Sequence, residues 1–371
     1  MTTETGIEKE AVIGPETPFE GGASEGAIDV PNGEKGRILA AGFGTTVAMW
    51  AIGYITHMPA VSVPQWLTVA LLAAVLVHGG FRAARATGDG LMAGVKTGLL
   101  SSLLNLLVLG SLLGGNEPGA IVPSAAIMIP GFLAAGALLA GIGGAIAGKG
   151  AAQNPNGTGA FAGVGAMATL LLLVAGGIVT SQEAGLAVVD WPNSFGYNMF
   201  LYPLSRMSGG VFYEHAHRLL GSLVGITTVV LAFQIFRIDR RGWVKGMAAL
   251  AVVLVIVQGI MGGLRVTGKP TLSTAEADMA PSIELAVAHG VTGQVFFGLM
   301  VALALVLSTR WFTNGPAVRL KTAGTERTLA IVFLVFVVLQ IALGAVLRHM
   351  DSGLLSHIGM SVLVLGLAVF V

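Results

Sequence analysis

The sequence predicts an all-α, polytopic transmembrane helical bundle, and three observations support this fold class. Of the 371 residues, 54% are hydrophobic and only 11% are charged, whereas about 25% of the residues in soluble domains are charged. Apolar stretches of about 20 residues, the length that a helix needs to cross a bilayer, recur from about Gly36 onward. A β-barrel would instead show shorter segments of alternating hydrophobicity. We therefore expect about ten spans.

The predicted spans are separated by short polar stretches. They lie near residues 38–57, 64–82, 97–114, 122–147, 160–180, 211–236, 246–264, 285–308, 328–347 and 353–371. Before them, residues 1–36 are polar and rich in Glu, with Pro and Gly, which is typical of a disordered tail. The 54 glycines are typical of membrane helices, in which small residues allow close packing.

Basic residues in three connecting loops predict the orientation, because Lys and Arg are enriched in cytoplasmic loops. All three loops lie on the same side, which places the N-terminus in the cytoplasm and the long loops 181–210 and 265–284 outside. The protein is thus predicted to lie in the cytoplasmic membrane. The basic residues are Arg82, Arg85 and Lys96, then Arg237, Arg240, Arg241 and Lys245, and finally Arg310, Arg319, Lys321 and Arg327.

Composition excludes several kinds of site and partner. The chain has no cysteine, so it has no disulfide, no thiolate heme ligand and no cysteine-ligated iron–sulfur cluster. Its formal net charge is +1 and it has no basic patch, so we expect no nucleic-acid partner.

Three span ends resemble each other, and each precedes a helix that begins with a histidine. A glycine follows the first two histidines by four residues, on the same helix face, and would leave room for a flat macrocycle. Alternatively, these glycines only serve helix packing. The span ends are GGIVT at 176–180, GGLRVT at 262–267 and LGAVLRH at 343–349, and the histidines are His217, His289 and His357.

Five of the seven histidines lie near the predicted outer ends of the spans. Ionisable side chains are costly in a bilayer and normally face an interior site, and neutral imidazole is a common axial ligand of heme iron. We therefore predict that His217 and His289 bind one iron from two helices. Two alternatives are histidines that only hydrogen-bond between helices and a zinc site with a third protein ligand. The five are His215, His217, His289, His349 and His357.

The segment YEHAHR at 213–218 is the most specific local signal. Glu214 and His217 share a helix face, so the carboxylate could stabilise a cation or move protons. Alternatively, Glu214 pairs with Arg218 or reaches water. Arg218 and Arg265 are candidate partners of heme propionates. His215 points about 100° away from Glu214, so it is predicted to lie behind the site or to face solvent.

Five segments together resemble heme A synthase. The resemblance covers roughly residues 160–371. It depends on the combination of a DWP segment in a predicted outer loop, a helix with the motif Glu-x-x-His-Arg and a span end with the motif GAxxRH. The segments are GGIVTSQEAGLAVVDWP at 176–192, YEHAHR at 213–218, GGLRVTG at 262–268, the span from Ala286 to Leu305, and LGAVLRHMDSG at 343–353.

This resemblance implies a fold and a reaction. Heme A synthases contain two four-helix bundles related by an internal repeat, and they oxidise a ring methyl group of heme O to the formyl group of heme A for terminal oxidases. The chain then divides into the tail 1–36, an additional four-helix module at 37–150, a first synthase-like bundle at 160–310 and a partial second bundle at 326–371.

The resemblance also implies roles for particular residues. Glu214 matches the catalytic carboxylate, and His217 and His289 match the axial ligands of the substrate heme O. His357 matches a ligand of the cofactor heme b, which passes electrons. Arg348 and His349 are further candidates for propionate contacts or for supporting the heme ligands. The implied partners are heme O synthase and proteins of terminal oxidase assembly.

The sequence departs from the family pattern at two points. The family's second bundle has two further helices, the last of which carries the partner of the histidine matched by His357, whereas this sequence stops at Val371. We therefore expect the second repeat to be truncated. The cysteine pair found in an outer loop of some members is also absent.

Three function classes follow from these features. The first is an oxidoreductase that acts on heme, which Glu214 beside His217 favours. The second is a b-type cytochrome that only carries electrons, since two histidine ligands fit it equally well. The third is a membrane transporter or assembly factor with histidines as a proton relay.

Overall fold

The computed structural model describes residues 33–115, 117–153, 156–313 and 322–370, and its regular secondary structure there is helical. Short 3-10 turns lie at Met199–Leu201, Leu204–Arg206 and Glu276–Asp278. The predicted all-α class is confirmed. The α-helices are α1 Gly33–His57, α2 Gln65–Thr87, α3 Gly90–Leu113, α4 Ala125–Ala147, α5 Gly157–Ser181, α6 Gly209–Ile238, α7 Gly242–Thr267, α8 Ile283–Val306, α9 Thr309–Thr313, α10 Ala323–Met350 and α11 Leu354–Ala368.

Nine helices in the described ranges, α1 to α8 and α10, are long and apolar enough to cross a membrane. The protein is therefore a multi-pass membrane protein, as predicted. The tenth predicted span, 353–371, differs: α11 has 15 residues.

The helices extend beyond the apolar segments from which they were predicted. Helix α1 begins at Gly33, inside the predicted tail, whereas residues 1–32 lie outside the described part of the chain. Arg319 and Lys321 of the third basic loop also lie outside it. Lys96, predicted in a loop, lies on α3 and pairs with Glu34 at 2.9 Å, because a polar helix end can continue past the apolar segment.

Local capping explains several helix boundaries. The side chain of Asn156 accepts a hydrogen bond from the Gly159 N–H at 2.8 Å and so starts α5. Ser282 accepts in the same way from Leu285 at 3.1 Å at the start of α8. Helix α7 ends at Thr267 and is capped by Gly268, whose φ of 71° is left-handed.

Helices α5 to α8 form a closed ring. Helix α5 packs against α6 and α8, and α7 packs against the same two helices. The ring core is apolar and includes Leu223, Leu231 and Met300, each at most 1% exposed. Gly165 of α5 allows this packing, since a Cβ there would lie 2.8 Å from Cε of Met300.

Two further groups of helices pack against this ring. Helices α1 to α4 pack with one another, and α1 lies along α5, where the rings of Phe43 and Phe161 are 5.0 Å apart. A buried hydrogen bond of 2.7 Å from Trp50 to Asn105 joins α1 to α3. Helix α10 packs against α8 and α11.

Candidate functional site

The imidazoles of His217 and His289 face each other inside the ring of α5 to α8. His217 lies on α6 and His289 on α8, and their ring centroids are 6.4 Å apart with planes inclined at 88°. The structure thus brings together the two histidines that the sequence paired. Both side chains are partly buried.

A glycine on the preceding helix lies against each of these imidazoles. A Cβ at Gly176 of α5 would lie 2.8 Å from Cε1 of His217, and one at Gly262 of α7 would lie 3.1 Å from Cε1 of His289. Both distances are shorter than ordinary contacts. The repeated span ends therefore provide flat surfaces on which the histidines of the following helices rest.

The third span end repeats this arrangement. A Cβ at Gly344 of α10 would lie 3.0 Å from Cε1 of His357 on α11. The amide nitrogen of Gln340, one turn before Gly344, lies 3.2 Å from Nδ1 of His357. The three sites are thus related in geometry as well as in sequence.

Gln258 holds the same position on α7, four residues before Gly262. In the amide orientation that satisfies both of its ends, Nε2 of Gln258 donates to Nδ1 of His289 at 2.9 Å, and Oε1 accepts from the Gly293 N–H at 3.1 Å. Gln258 and Gln340 are not among the residues predicted from the sequence, although the shared spacing Gln-x-x-x-Gly in α7 and α10 is visible there.

The glycines that follow the histidines have the predicted open surroundings. A Cβ at Gly221 would meet no described atom within 4 Å, and one at Gly293 would come no nearer than 3.5 Å to another atom. The chain therefore leaves space beside His217 on its own helix.

The spacing of the two imidazoles suits a single metal atom between them. Two metal–nitrogen bonds of about 2.1 Å would use about 4.2 Å of the 6.4 Å between the centroids. The remainder, about 1.1 Å per ring, matches the distance from an imidazole centre to its nitrogen. Among the described residues, no three His, Cys, Asp or Glu side chains group as metal ligands, so the zinc alternative lacks its third ligand there.

Glu214 lies one helical turn before His217 and is 4% exposed. Its Oε1 accepts a hydrogen bond from Arg218 at 2.7 Å, and its Oε2 accepts from the Val188 N–H at 3.1 Å. Both oxygens therefore have protein partners. The alternative in which Glu214 pairs with Arg218 describes the observed geometry.

The guanidinium of Arg218 binds carbonyl groups of the loop after α5. Besides Glu214, it donates to the carbonyl oxygens of Asp190 at 2.7 Å, Asn193 at 3.1 Å and Val188 at 2.9 Å. These donors hold the loop after α5 in place, and the predicted contact of Arg218 with a propionate stays a prediction.

Arg265, near the end of α7, also reaches the loop that follows α5. Its Nη2 donates to the Gly185 carbonyl at 2.6 Å, and a Cβ at Gly185 would lie only 2.0 Å from that nitrogen. The guanidinium is near enough to interact electrostatically with Glu214, His217 and His289. Arg265 therefore remains the better candidate for contact with an anionic ligand group.

The end of α10 approaches the same region. Arg348 donates to the Thr180 carbonyl at 2.5 Å, which links α10 to α5. His349 is partly exposed and interacts electrostatically with Arg265 and Arg348. The structure thus places both predicted residues near the C-terminal end of α5.

His215 is buried, and the prediction that it could face solvent is wrong. It is 0% exposed, and its Nδ1 lies 3.1 Å from Oγ of Ser194. Its ring centroid lies 5.0 Å from that of Tyr202, whose hydroxyl pKa is raised by burial. His215 does point away from the Glu214 face, but the loop between α5 and α6 covers the face onto which it points.

The DWP segment of this loop packs onto α7. A Cβ at Gly263 would lie 2.2 Å from Cδ2 of Trp191, so the indole lies directly on the helix backbone. Asp190 is 1% exposed and accepts from the N–H groups of Phe195 at 2.6 Å and Gly196 at 2.8 Å. The two glycines of α7 thus have separate tasks, since Gly262 contacts a histidine and Gly263 contacts the loop.

Residues 159–361 match the model of a protein family described as cytochrome oxidase assembly protein. This range covers more than half of the chain and contains both histidines of the pair. The chain belongs to this family. The family resemblance predicted from the sequence is thereby confirmed.

One curated relative and the search of solved structures complete the comparison. The heme A synthase of Orientia tsutsugamushi (strain Ikeda) is 27% identical over 232 residues, which cover 52% of this chain and 62% of that relative. The chain thus spans less than two thirds of the relative's length. No solved structure matches the chain. Helices α1 to α4 lie outside the range that the family model matches.

Proposed function

We propose that this chain is a membrane oxidoreductase that converts heme O to heme A by oxidising a ring methyl group to a formyl group. The observation that carries the proposal is the His217 and His289 pair, 6.4 Å apart, with Glu214 one turn away on the same face of α6. The membership in a family of cytochrome oxidase assembly proteins supports it.

His217 and His289 would hold the iron of the substrate heme O from two sides. Gly176 and Gly262 would set the position of the two imidazoles, and the open side of Gly221 would accommodate the ring. Arg265 would neutralise an anionic group of the substrate near the outer end of the ring of helices.

Glu214 would be the catalytic carboxylate, held in one position by Arg218 and the Val188 N–H. A fixed negative charge near the reacting carbon would stabilise positive charge that develops there during oxidation. Because both oxygens already have partners, this carboxylate would act through its charge more readily than through proton transfer.

The overall reaction removes four electrons from the substrate. With water as the oxygen source, R–CH3 and H2O give R–CHO, four protons and four electrons. The electrons leave through an acceptor of the quinone or dioxygen class outside this chain. His357, supported by Gln340 and Gly344, would be a ligand of heme b, a cofactor that supplies one-electron transfer when bound.

The chain would act in the cytoplasmic membrane, with its N-terminus in the cytoplasm. Its substrate would come from a heme O synthase, and its product would pass to proteins of terminal oxidase assembly. The module at 37–150 would serve docking or lipid packing. It is held against the ring of α5 to α8 in part by Tyr54 of α1, which stacks on Phe212 of α6 with centroids 5.5 Å apart. The synthase-like segments would be 160–310 and, in part, 326–371.

Extraction of hemes from cells that make heme O tests this proposal. Cells with a heme O synthase and this chain should accumulate heme A, whereas cells with the synthase alone should not. The Glu214→Gln variant, which keeps the shape of the side chain, should bind heme O and form no heme A. Unchanged heme A formation in this variant would reject the role of Glu214, and absence of heme A from all cells would reject the reaction.

A b-type cytochrome that only carries electrons is the second candidate. The observation that favours it is that Arg218 and Val188 account for both oxygens of Glu214, so that the carboxylate has a structural explanation. This candidate predicts that the purified chain binds heme b, exchanges electrons with a quinol and leaves heme O unchanged.

A further inference from the structure

The C-terminal end of α3 lies against the loop between α5 and α6, residues 182–208, through two glycines one helical turn apart. A Cβ at Gly110 would lie 2.1 Å from the carbonyl oxygen of Phe200, and one at Gly114 would lie 2.0 Å from that of Leu201. Both loop residues belong to a 3-10 turn that packs against α3. Two consecutive carbonyl groups of the loop therefore lie directly on the backbone of α3 and its cap.

The same loop is also fixed to α7, where Trp191 lies on Gly263. Between these two contacts the loop is bonded to itself. The Asp190 carboxylate accepts two backbone hydrogen bonds from within the loop, and the backbones of Ser194 and Tyr197 exchange hydrogen bonds of 2.9 and 3.0 Å. The loop thus has one support on α7 and another on α3.

This loop in turn holds the Glu214 carboxylate. The Val188 N–H donates to its Oε2 at 3.1 Å. Three carbonyl groups of the loop bind Arg218, which donates to the Oε1 of Glu214 at 2.7 Å. A displacement of the loop would therefore move the partners of the carboxylate, whereas His217 and His289 lie on α6 and α8 and would keep their places.

We infer that Gly110 and Gly114 are positioning residues for the reaction at Glu214, and that α3 supports the loop that orients this carboxylate. The inference rests on the proposed function, in which Glu214 acts through a fixed charge. It assigns a task to a part of the chain that lies outside the range matched by the family model. A module that served only docking or lipid packing would leave the carboxylate independent of α3.

The size of the effect follows from the two close contacts. To reach an ordinary contact of 3.4 Å with the new methyl group in Gly110→Ala, the Phe200 carbonyl has to move by at least 3.4 − 2.1 = 1.3 Å. The corresponding movement of the Leu201 carbonyl in Gly114→Ala is at least 3.4 − 2.0 = 1.4 Å. A misplacement of about 1 Å in an active site can lower a rate about 100-fold.

Two other glycines of the module provide matched controls. A Cβ at Gly98 of α3 would lie 2.2 Å from the carbonyl oxygen of Gly136 on α4, a similarly close contact that does not involve the loop. Gly98 lies about 18 Å before Gly110 along the helix. A Cβ at Gly131 of α4 would meet no described atom within 4 Å, so Gly131→Ala tests the added methyl group alone.

Four measurements on the full chain separate loop position from stability. Hydrogen–deuterium exchange reports the order of the loop without any heme, and thermal unfolding reports stability. Titration with heme O reports affinity, and the rate of heme A formation at saturating heme O reports the reaction. The rate and the affinity respond differently because the loop holds Glu214 and not the two histidines.

We expect Gly110→Ala and Gly114→Ala to exchange the loop amides several-fold faster than wild type. Both should form heme A about 10-fold to 100-fold more slowly and bind heme O with nearly unchanged affinity. Gly98→Ala should lose thermal stability to a similar extent but keep the loop exchange and the heme A rate of wild type. Gly131→Ala should equal wild type in all four measurements.

Three results decide against the inference or the reaction. Loop exchange and heme A formation as in wild type in both loop-facing variants would overturn the inference and keep the proposed function. Equal losses of rate in Gly98→Ala and Gly110→Ala would also overturn it, because stability alone would then explain the effect. Faster loop exchange in the loop-facing variants alone, with no heme A formed even by wild type, would support the contact with α3 and reject the reaction.

A variant without added bulk covers the case in which the glycine variants do not fold. Phe200→Ala removes a partly buried side chain of the turn that lies on α3. It should likewise speed loop exchange and slow heme A formation while heme O affinity is kept. Wild-type exchange and rate in Phe200→Ala would overturn the inference.

Discussion

Replacing one glycine of the pair Gly176 and Gly177 should separate the heme site from general helix packing. A Cβ at Gly176 would lie 2.8 Å from Cε1 of His217, whereas one at Gly177 would meet no described atom within 4 Å. Gly176→Ala and Gly177→Ala are therefore matched variants that add the same atom on adjacent positions of α5.

The size of the effect follows from these distances. To reach an ordinary contact of 3.4 Å, the His217 ring has to move by at least 3.4 − 2.8 = 0.6 Å. Metal–ligand distances tolerate only about 0.2 Å, so the movement should disturb iron binding. Overpacking typically costs about 1–3 kcal/mol. Because 1.4 kcal/mol is a factor of 10 in affinity, we expect the affinity for heme O to fall about 10-fold.

Titration of the purified variants with heme O measures this effect. Gly176→Ala should bind heme O about 10-fold more weakly than wild type, with a changed spectrum. Gly177→Ala should bind as wild type does, and it should be equally or more stable, since Ala is favoured over Gly in a helix by roughly 1 kcal/mol. Equal affinities of the two variants would refute the role of Gly176 as the contact surface for His217.

Three further predictions concern the loop between α5 and α6 and the residues that contact it. Arg218→Met should destabilise the fold by about 3–5 kcal/mol, because it leaves Glu214 buried without its cation. Thermal unfolding measures this change, and a smaller loss of stability in the double variant Arg218→Met with Glu214→Gln would confirm the pairing. Gly263→Ala should cost about 1–3 kcal/mol, because the new methyl group overlaps Trp191, and Trp191→Ala should relieve part of this cost in the same assay. Burial raises the pKa of Tyr202 above its ordinary value of 10.0. The contribution of Tyr202 to stability is therefore present below pH 10 and is lost as the pH rises further. Tyr202→Phe should reduce this loss of stability at alkaline pH, and an unchanged alkaline unfolding transition would contradict the prediction.

Features that depend on periodicity along one helix could be predicted from the sequence. The apolar spans follow from length and hydropathy, and Glu214 and His217 share a face because they are three residues apart. The pairing of His217 with His289 followed from the repetition of glycine-rich span ends. These inferences need no knowledge of how the loops fold.

Features that depend on the folded loop could not be predicted in this way. His215 points away from Glu214 as expected, but whether that face meets water depends on Ser194 and Tyr202, which are distant in sequence. Arg218 similarly finds its acceptors in loop carbonyl groups, which no side-chain pattern reveals. Gln258 was predictable in principle, from its spacing to Gly262 and the equivalent pair in α10.

The most direct test of the central claim compares heme products in cells that make heme O. The measurement is the amount of heme A in membranes that contain wild-type chain or the His289→Ala variant, at equal levels of folded protein. We expect heme A with the wild-type chain and none with the variant. Equal amounts of heme A in both membranes would contradict the assignment of the reaction to the His217 and His289 site.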